Sequence, residues 1–170
     1  MKEKVFLVDG SGYIFRAYFG IRPLTSKKGV PTNAVYGFAT MLMKLIKEQK
    51  PKYLAIAFDT KEKTFRHELY DQYKANRPPA PDDLIPQFPL IHELVDALQI
   101  PRLVIPGFEA DDLLGTMAKK ATDAGHEVVI VTGGATGIGA EIAFQMLSLQ
   151  VNNHAIVHHH SCEKLFDYFL

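Results

Sequence analysis

The chain reads Gly107-Phe108-Glu109-Ala110-Asp111-Asp112-Leu113 at the point where a short apolar segment gives way to a helical pattern. The apolar segment, Leu103–Ile105, is typical of a buried strand. From position 110 onward, apolar residues recur at positions 113, 114, 117, 118 and 121, a spacing that forms one stripe along a helix. The acids lie outside that stripe, in its first turn. The stretch therefore predicts a strand, a tight turn and a helix whose start carries carboxylates.

Two interpretations of these acids follow from elementary electrostatics. Carboxylates this close repel one another unless cations or protons offset their charge, and Mg²⁺ prefers oxygen ligands, so a metal site is one interpretation. The other is that Glu109 and Asp111 serve the start of the helix, by capping its first N–H groups and complementing its dipole. The stretch alone leaves both interpretations open.

The combination of an apolar strand and an acid occurs elsewhere in the chain. Asp9 directly follows one apolar run and Asp59 follows another, while Glu109 comes after a third. Taken alone, Asp9 also suits the cap of the next helix. Helical patterns separate the apolar runs, and this alternation predicts an α/β fold with a parallel, doubly wound sheet. We expect about five strands, at Val5–Val8, Tyr53–Phe58, Leu103–Ile105, Val128–Val131 and Ala155–Val157.

The helical patterns have recognisable beginnings and ends. One helix is expected to begin at Thr32 or Asn33 and to run to about Glu48. Another should begin at Asp82 or Asp83, and Gly125 should end the helix of the central stretch. Because the carboxyl ends of parallel strands share one edge of a sheet, acids from separate segments should converge there. These acids are Asp9, Asp59, Glu109, Asp111 and Asp112.

Residues 61–81 combine cations with aromatic side chains. Cations suit nucleic-acid phosphates, and rings suit the stacking of unpaired bases. Acids alternate with the cations, so a solvated helix is the other interpretation. The segment ends in a stiff, proline-rich linker at residues 77–81. Its cations and rings include Lys61, Lys63, Phe65, Arg66, His67, Tyr70, Tyr73, Lys74 and Arg77.

Composition limits the class of protein. The 170 residues suit one globular domain, with 47% hydrophobic and 22% charged residues. Lys and Arg number 19, as do Asp and Glu, so any nucleic-acid partner must meet a local basic patch. The single Cys162 excludes an internal disulfide. The N-terminal apolar run is too short for a signal peptide, and no segment is long enough to span a membrane, so we expect a cytoplasmic protein.

Seven short motifs occur in order along residues 5–133: Leu7-Val8-Asp9-Gly10-Ser11 with Arg16, Phe58-Asp59, Lys63-Thr64-Phe65-Arg66, Tyr73-Lys74, Arg77-Pro78-Pro79, Glu109-Ala110-Asp111-Asp112 and Val131-Thr132-Gly133. With these motifs, residues 5–133 resemble the N-terminal 5′-nuclease domain of bacterial DNA polymerase I, a PIN-like fold. The resemblance implies a three-layer, Rossmann-like sandwich that hydrolyses DNA at 5′ ends and flaps during replication and repair, using Mg²⁺ or Mn²⁺.

The resemblance implies a role for each matching residue. It makes the converging acids, Asp9, Asp59, Glu109, Asp111 and Asp112, ligands of divalent metals in a two-metal phosphodiester hydrolysis. It implies that Arg16, Lys74 and Arg77 are catalytic residues. It assigns the handling of DNA at a threading arch, residues 61–81, to Lys63, Phe65, Arg66, Tyr73, Lys74 and Arg77.

The resemblance ends after Gly133. The family continues with an Asp-x-Asp pair, whereas this chain has Gly134-Ala135-Thr136, and the family's helix–three-turn–helix module is also missing. These acids supply ligands to the second metal ion. We therefore expect impaired cleavage, with a non-catalytic DNA-binding remnant as an alternative.

Residues 128–160 instead resemble the first β-α-β unit of short-chain dehydrogenases, which implies NAD(P) binding. A nuclease-like part, 1–133, would then be continued by a dehydrogenase-like part, 134–170, that completes the same sheet. Residues 163–170 suit an amphipathic helix that a further C-terminal segment would cover. The residues implied in dinucleotide binding are Thr132, Gly133, Gly137, Ile138 and Gly139.

Overall fold

The computed structural model describes residues 2–133, in which helices and strands alternate along the chain. The strands are short, and their order of appearance follows the apolar runs of the sequence. The elements are β1 (Lys4–Asp9), α1 (Gly10–Gly20), α2 (Asn33–Gln49), β2 (Tyr53–Ala57), α3 (Phe65–Leu69), α4 (Gln87–Ala97), β3 (Arg102–Leu103), α5 (Ala110–Asp123) and β4 (Glu127–Val131).

The described strands form one parallel sheet in the order β3-β2-β1-β4. Val5 of β1 lies opposite Tyr53 of β2 on one side and Val128 of β4 on the other. The chain steps outward from β1 to β2 and β3 and then crosses back to β4, so the winding direction changes between β1 and β4. The predicted α/β class with a parallel, doubly wound sheet is confirmed; the predicted strand at residues 155–157 lies outside the described residues.

Apolar side chains on both faces of the sheet form two hydrophobic cores, giving the expected three layers. On one face, Leu7 and Ala55 pack with α5, whose buried stripe includes Leu113, Leu114 and Met117. On the other face, α1, α2 and α4 cover the alternate residues of the same strands, among them Val8 and Ile56. Burial on both faces explains why the strand sequences are continuously apolar rather than alternating.

Two predicted boundaries differ from those observed. Strand β3 is only Arg102–Leu103, not Leu103–Ile105, because its pairing with β2 joins Ile56 to Arg102 and Ala57 to Leu103 only. Helix α4 begins at Gln87, not at Asp82 or Asp83; residues 82–86 form turns. Pro86 explains the delay, since a proline has no N–H to bond to the preceding turn and disfavours a helical conformation in the residue before it.

The end of α5 follows the sequence prediction. Gly125 has a φ of +88°, the left-handed conformation that glycine adopts without strain. The N–H groups of Gly125 and His126 donate to carbonyl groups of the last helical turn, at 2.9 Å each. The turn directs the chain at once into β4, next to β1.

The cation-rich segment, residues 61–81, consists of the short helix α3, a turn at residues 71–76 and irregular chain. Thr64 caps α3, and the ring Nδ1 of His67 accepts a hydrogen bond from the Thr64 N–H at 3.1 Å. A solvated helix along the whole segment, which was the alternative interpretation, does not form. Within the described part of the chain, no helix is long and apolar enough to cross a membrane.

Candidate active site

A cleft of about 910 Å³ opens at the carboxyl edge of the sheet, where the winding direction changes between β1 and β4. In open α/β sheets this position is the usual ligand site. Asp9, Asp59, Glu109 and Asp111 all line the cleft, so the structure brings together four of the five acids that the sequence placed at this edge.

Two of these acids are held by hydrogen bonds from backbone N–H groups. Asp9 is the last residue of β1 and caps α1, because its Oδ1 accepts the Gly12 N–H at 2.8 Å. Asp59 lies just beyond β2, and its Oδ1 accepts the Ala110 N–H at 2.8 Å, which ties β2 to the start of α5. Asp9 therefore caps the helix, as one interpretation predicted, and the same carboxylate also lines the cleft.

Asp112 is the exception among the predicted acids. Its side chain is 2% exposed, and its two oxygens accept hydrogen bonds from the Arg66 guanidinium at 2.7 Å each. One oxygen also accepts the Glu109 N–H at 3.0 Å. Asp112 is not among the residues that line the cleft, and its predicted role as a metal ligand stays a prediction.

Burial and nearby negative charge raise the pKa of two acids of the cleft, Asp9 and Asp111. Burial raises the pKa of Asp9 from 3.8 to about 6, aided by the negative charges of Asp111 and Asp59 and opposed by the Gly12 N–H. The pKa of Asp111 is also raised, first by the protein around it and then by the charges of Asp59 and Glu109. The cleft thus concentrates negative charge that a cation would offset.

Cations line the same cleft. Its lining residues include Arg16, on α1, and Lys74 and Arg77, from the cation-rich segment. The structure therefore brings together, beside the acids, all three residues that the resemblance makes catalytic. Their positive charge suits a phosphate held near the carboxylates.

Lys74 and its neighbour Tyr73 are in contact with an acid of the cleft. The Lys74 Nζ lies 2.9 Å from Glu109 Oε1, and the Tyr73 hydroxyl donates to Glu109 Oε2 at 3.1 Å. Lys74 has a φ of 57°, an uncommon conformation for a residue with a side chain. The cation-rich segment is thereby fastened to the start of α5.

The other predicted DNA-binding residues lie away from the large cleft. Arg66 pairs with Asp112 and covers the ring of Phe65 at 4.6 Å, and Phe65 in turn contacts Phe108 at a centroid distance of 5.9 Å. Lys63 lines a second, smaller cleft. Their role in binding DNA stays a prediction.

Ser11 and Gly12 were not singled out as site residues from the sequence. The Ser11 Oγ accepts the Asp59 N–H at 3.0 Å and so joins the β1–α1 turn to the end of β2. A Cβ on Gly133 would lie 2.0 Å from the Gly12 carbonyl oxygen, so the close approach of the chain after β4 to the first turn of α1 requires glycine at position 133. Only their position beside Asp9, in the motif Asp9-Gly10-Ser11-Gly12, signals this role.

The donor set of the cleft fits a hard divalent cation, because carboxylate oxygens from three segments face one volume. Among residues 2–133, no three Asp, Glu, His or Cys side chains lie close enough to enclose an ion as they stand. Small rotations of the carboxylates, or ligands from the substrate, would have to complete the coordination. Mg²⁺ tolerates such a site, since it usually keeps several waters.

We predict that Asp9→Asn stabilises the protein at pH 7.5 in the absence of divalent ions, by about 3 kcal/mol. The folded state holds the Asp9 proton up to about pH 6 and the unfolded state only to about pH 4, so native stability falls as the pH rises between these values. Asparagine keeps the cap to Gly12 and removes the charge. Thermal melts at pH 4 and pH 7.5 measure the difference, which should be small at pH 4.

Asp82→Asn, at an exposed acid outside the cleft, is the matched control and should change little at either pH. Mg²⁺ should raise the melting temperature of the unchanged protein more than that of Asp9→Asn. A variant that is less stable than the unchanged protein at pH 7.5 would show that the charged cap outweighs the repulsion in the cleft.

The fold and the site define an α/β domain with a carboxylate-lined cleft at the switch point of a parallel sheet. The chain belongs to the family of 5′-3′ exonuclease N-terminal, resolvase-like domains, whose model matches residues 4–135. The DNA polymerase I of Thermus thermophilus is 50% identical over 131 residues, which are 77% of this chain and 16% of that protein. A 5′-3′ exonuclease of Aquifex aeolicus is 44% identical over 128 residues, 75% of this chain and 44% of that protein.

Solved structures share the fold. The T5 D15 protein, co-crystallised with metal ions, matches with a TM-score of 0.58 and 20% identity over 78% of this chain and 50% of that one. T5 5′-exonuclease with bound zinc matches with a TM-score of 0.56 and 20% identity, over 76% and 49% of the two chains. The chain thus spans about half of these structures and about one sixth of the polymerase.

The family predicted from the motifs of residues 5–133 is therefore confirmed. The dinucleotide-binding alternative receives no support from these proteins, which are nucleases and polymerases. Of its residues, Thr132 and Gly133 are described, and Gly133 lies against Gly12. Gly137, Ile138 and Gly139 lie outside the described residues.

Proposed function

We propose that the protein is a metal-dependent 5′-nuclease that acts on DNA 5′ ends and flaps. The observation that carries this proposal is the cleft itself, which is lined both by acids at the end of β1, after β2 and at the start of α5 and by the cations Arg16, Lys74 and Arg77. A phosphodiester placed in this cleft would meet both cations and metal ligands. The sequence family supports the same activity.

The metal proposed for the site is Mg²⁺ or Mn²⁺, held by Asp9, Asp59, Glu109 and Asp111. Such an ion supplies charge neutralisation on the phosphate and a water of lowered pKa. Its ligands would come from three segments whose positions are fixed by hydrogen bonds to Gly12 and Ala110. This fixation keeps the donors in place for the reaction.

The chain's own cations would position the DNA. Arg77 and Arg16 line the cleft together with the acids, where they can pair with phosphate oxygens of the strand. Lys74 would exchange its contact with Glu109 for one with the substrate. Residues 61–81 would act as the arch over a single strand, with Lys63, Arg66 and Tyr73 contributing further contacts.

We further propose that residues 1–133 form the nuclease-like part and that cleavage is reduced by the residues that follow. The family carries an Asp-x-Asp pair where this chain has Gly134-Ala135-Thr136. With that pair missing, the second metal ion would lack ligands, and the leaving oxygen would lose much of its stabilisation.

The test is a cleavage assay on a labelled 5′-flap DNA with Mg²⁺ or Mn²⁺, run beside the double variant Gly134→Asp/Thr136→Asp. We expect weak, metal-dependent release of the flap by the unchanged chain and at least 10-fold faster release by the double variant. Gly134→Asn/Thr136→Asn, which restores size without charge, is the control and should not gain activity. Release that is the same with and without divalent ions would contradict the proposal.

A further inference from the structure

A second cleft, of about 240 Å³, adjoins the acidic cleft. The two clefts share Lys74 and Arg77 together with Asp59 and Glu109. The loop at residues 59–64 forms most of the wall of the second cleft, and Phe108 also lines it. The volume is below that of pockets for whole drug-sized ligands, so the cleft suits a small charged group rather than a complete nucleotide.

One atom in this wall lacks a partner. The Thr60 Oγ1 is buried and makes no hydrogen bond within the part of the chain that the structure describes. A buried hydroxyl without a partner is destabilising, and such groups are rare in native proteins. A ligand oxygen in the cleft would receive this hydroxyl's proton as a hydrogen bond.

The charges of the wall indicate an anionic ligand. Two of its acids are already satisfied: Asp59 accepts the Ala110 N–H, and Glu109 pairs with Lys74. The third, Glu62, is exposed. The cations of the wall are Lys61, Lys63, Arg77 and Lys74, of which Lys74 is already paired with Glu109.

We propose that this second cleft binds the terminal 5′-phosphate monoester of a DNA strand, with the Thr60 hydroxyl and the Lys61 ammonium among its donors. A monoester carries between one and two negative charges at neutral pH and an internal diester only one, so a wall of several cations favours the strand end. Because the clefts share Lys74 and Arg77, a strand end seated here places a nearby phosphodiester in the acidic cleft. This inference rests on the proposed function and adds to it a means of recognising the strand end.

The test compares the affinities of three short single-stranded DNAs, carrying a 5′-phosphate, a 5′-hydroxyl or a 3′-phosphate, by fluorescence anisotropy in Ca²⁺ with the DNA verified intact. We expect the 5′-phosphate to tighten binding 3- to 10-fold and the 3′-phosphate to have no such effect. Equal tightening by both phosphates would overturn the proposal, because it would show a simple response to charge. Inorganic phosphate at millimolar concentration should remove the gain in affinity from the 5′-phosphate and leave the affinity for the 5′-hydroxyl DNA unchanged.

Thr60→Val is the decisive variant, because it keeps the shape of the side chain and removes only the hydroxyl. It should lose most of the gain in affinity that the 5′-phosphate gives, while its melting temperature stays equal to or above that of the unchanged protein. Lys61→Met should also lose this gain in affinity, and Lys47→Met, on α2, should keep it. A lower melting temperature of Thr60→Val, or an undiminished gain in affinity, would overturn the proposal. Failure of the 5′-nuclease assignment would appear separately, as absence of metal-dependent cleavage in the unchanged chain.

Discussion

Asp111→Asn is expected to reduce magnesium-dependent cleavage of a 5′-ended DNA at least 100-fold without destabilising the fold. Asp111 lies in the first turn of α5 and lines the cleft, where burial and then the charges of Asp59 and Glu109 raise its pKa. An amide has similar shape but no charge, so it binds Mg²⁺ weakly and does not help to neutralise the ion. A 100-fold loss corresponds to about 2.7 kcal/mol of transition-state stabilisation.

The measurement is the single-turnover cleavage rate together with a thermal melt in the absence of divalent ions. The melting temperature should be equal to or higher than that of the unchanged protein, because the substitution relieves repulsion in the cleft. A loss of both rate and stability would indicate a structural role for Asp111 and would count against its assignment as a ligand.

Asp123→Asn is the matched control, since the same substitution is made at the other end of the same helix. Asp123 forms an exposed pair with Lys119 at 2.6 Å, four residues earlier. Such pairs contribute a few tenths of a kcal/mol, so neither cleavage nor stability should change measurably. If Asp123→Asn and Asp111→Asn lowered the rate equally, the effect would have to arise from α5 as a whole rather than from the cleft.

The convergence of the acids could be predicted from the sequence because parallel strands share an edge. Once Asp9, Asp59 and Glu109 were assigned to the ends of apolar strands, their proximity followed without any knowledge of the side chains. The two-faced core followed in the same way from strands that are apolar throughout. The order of the strands in the sheet could not be predicted in this way, because the pairing of β1 with β4 depends on the direction in which the chain crosses over.

The different roles of Asp111 and Asp112 could not be predicted from the sequence. Neighbouring residues on a helix point about 100° apart, so the first turn of α5 directs Asp111 to the cleft and Asp112 toward α3. The position of α3 is set by contacts between residues that are far apart in sequence. Arg66, the partner of Asp112, is 46 positions away. The second cleft escaped prediction for the same reason, since the packing of the loop at residues 59–64 creates it.

Arg66→Met is expected to lower the free energy of unfolding by about 3–5 kcal/mol, because it leaves a buried carboxylate without its partner. The Asp112 side chain is 2% exposed and accepts two hydrogen bonds of 2.7 Å from Arg66, and these bonds raise the pKa of Arg66. Methionine covers Phe65 comparably but supplies no donor. At 2–4 °C per kcal/mol for a domain of this size, the melting temperature should fall by about 10 °C.

The surface pair Arg102–Asp96 provides the matched control, because it has the same two-bonded geometry, at 2.6 and 2.9 Å, without the burial. Its side chains are 31% and 55% exposed, so Arg102→Met should lower stability by less than about 1 kcal/mol.

The double variant Arg66→Met/Asp112→Asn should recover at least about 1 kcal/mol of the free energy of unfolding relative to Arg66→Met. The amide is neutral and can still accept the Glu109 N–H. Similar losses for Arg66→Met and Arg102→Met would show that hydrogen-bond geometry, rather than burial of Asp112, sets the strength of the pair that fastens the cation-rich segment to α5.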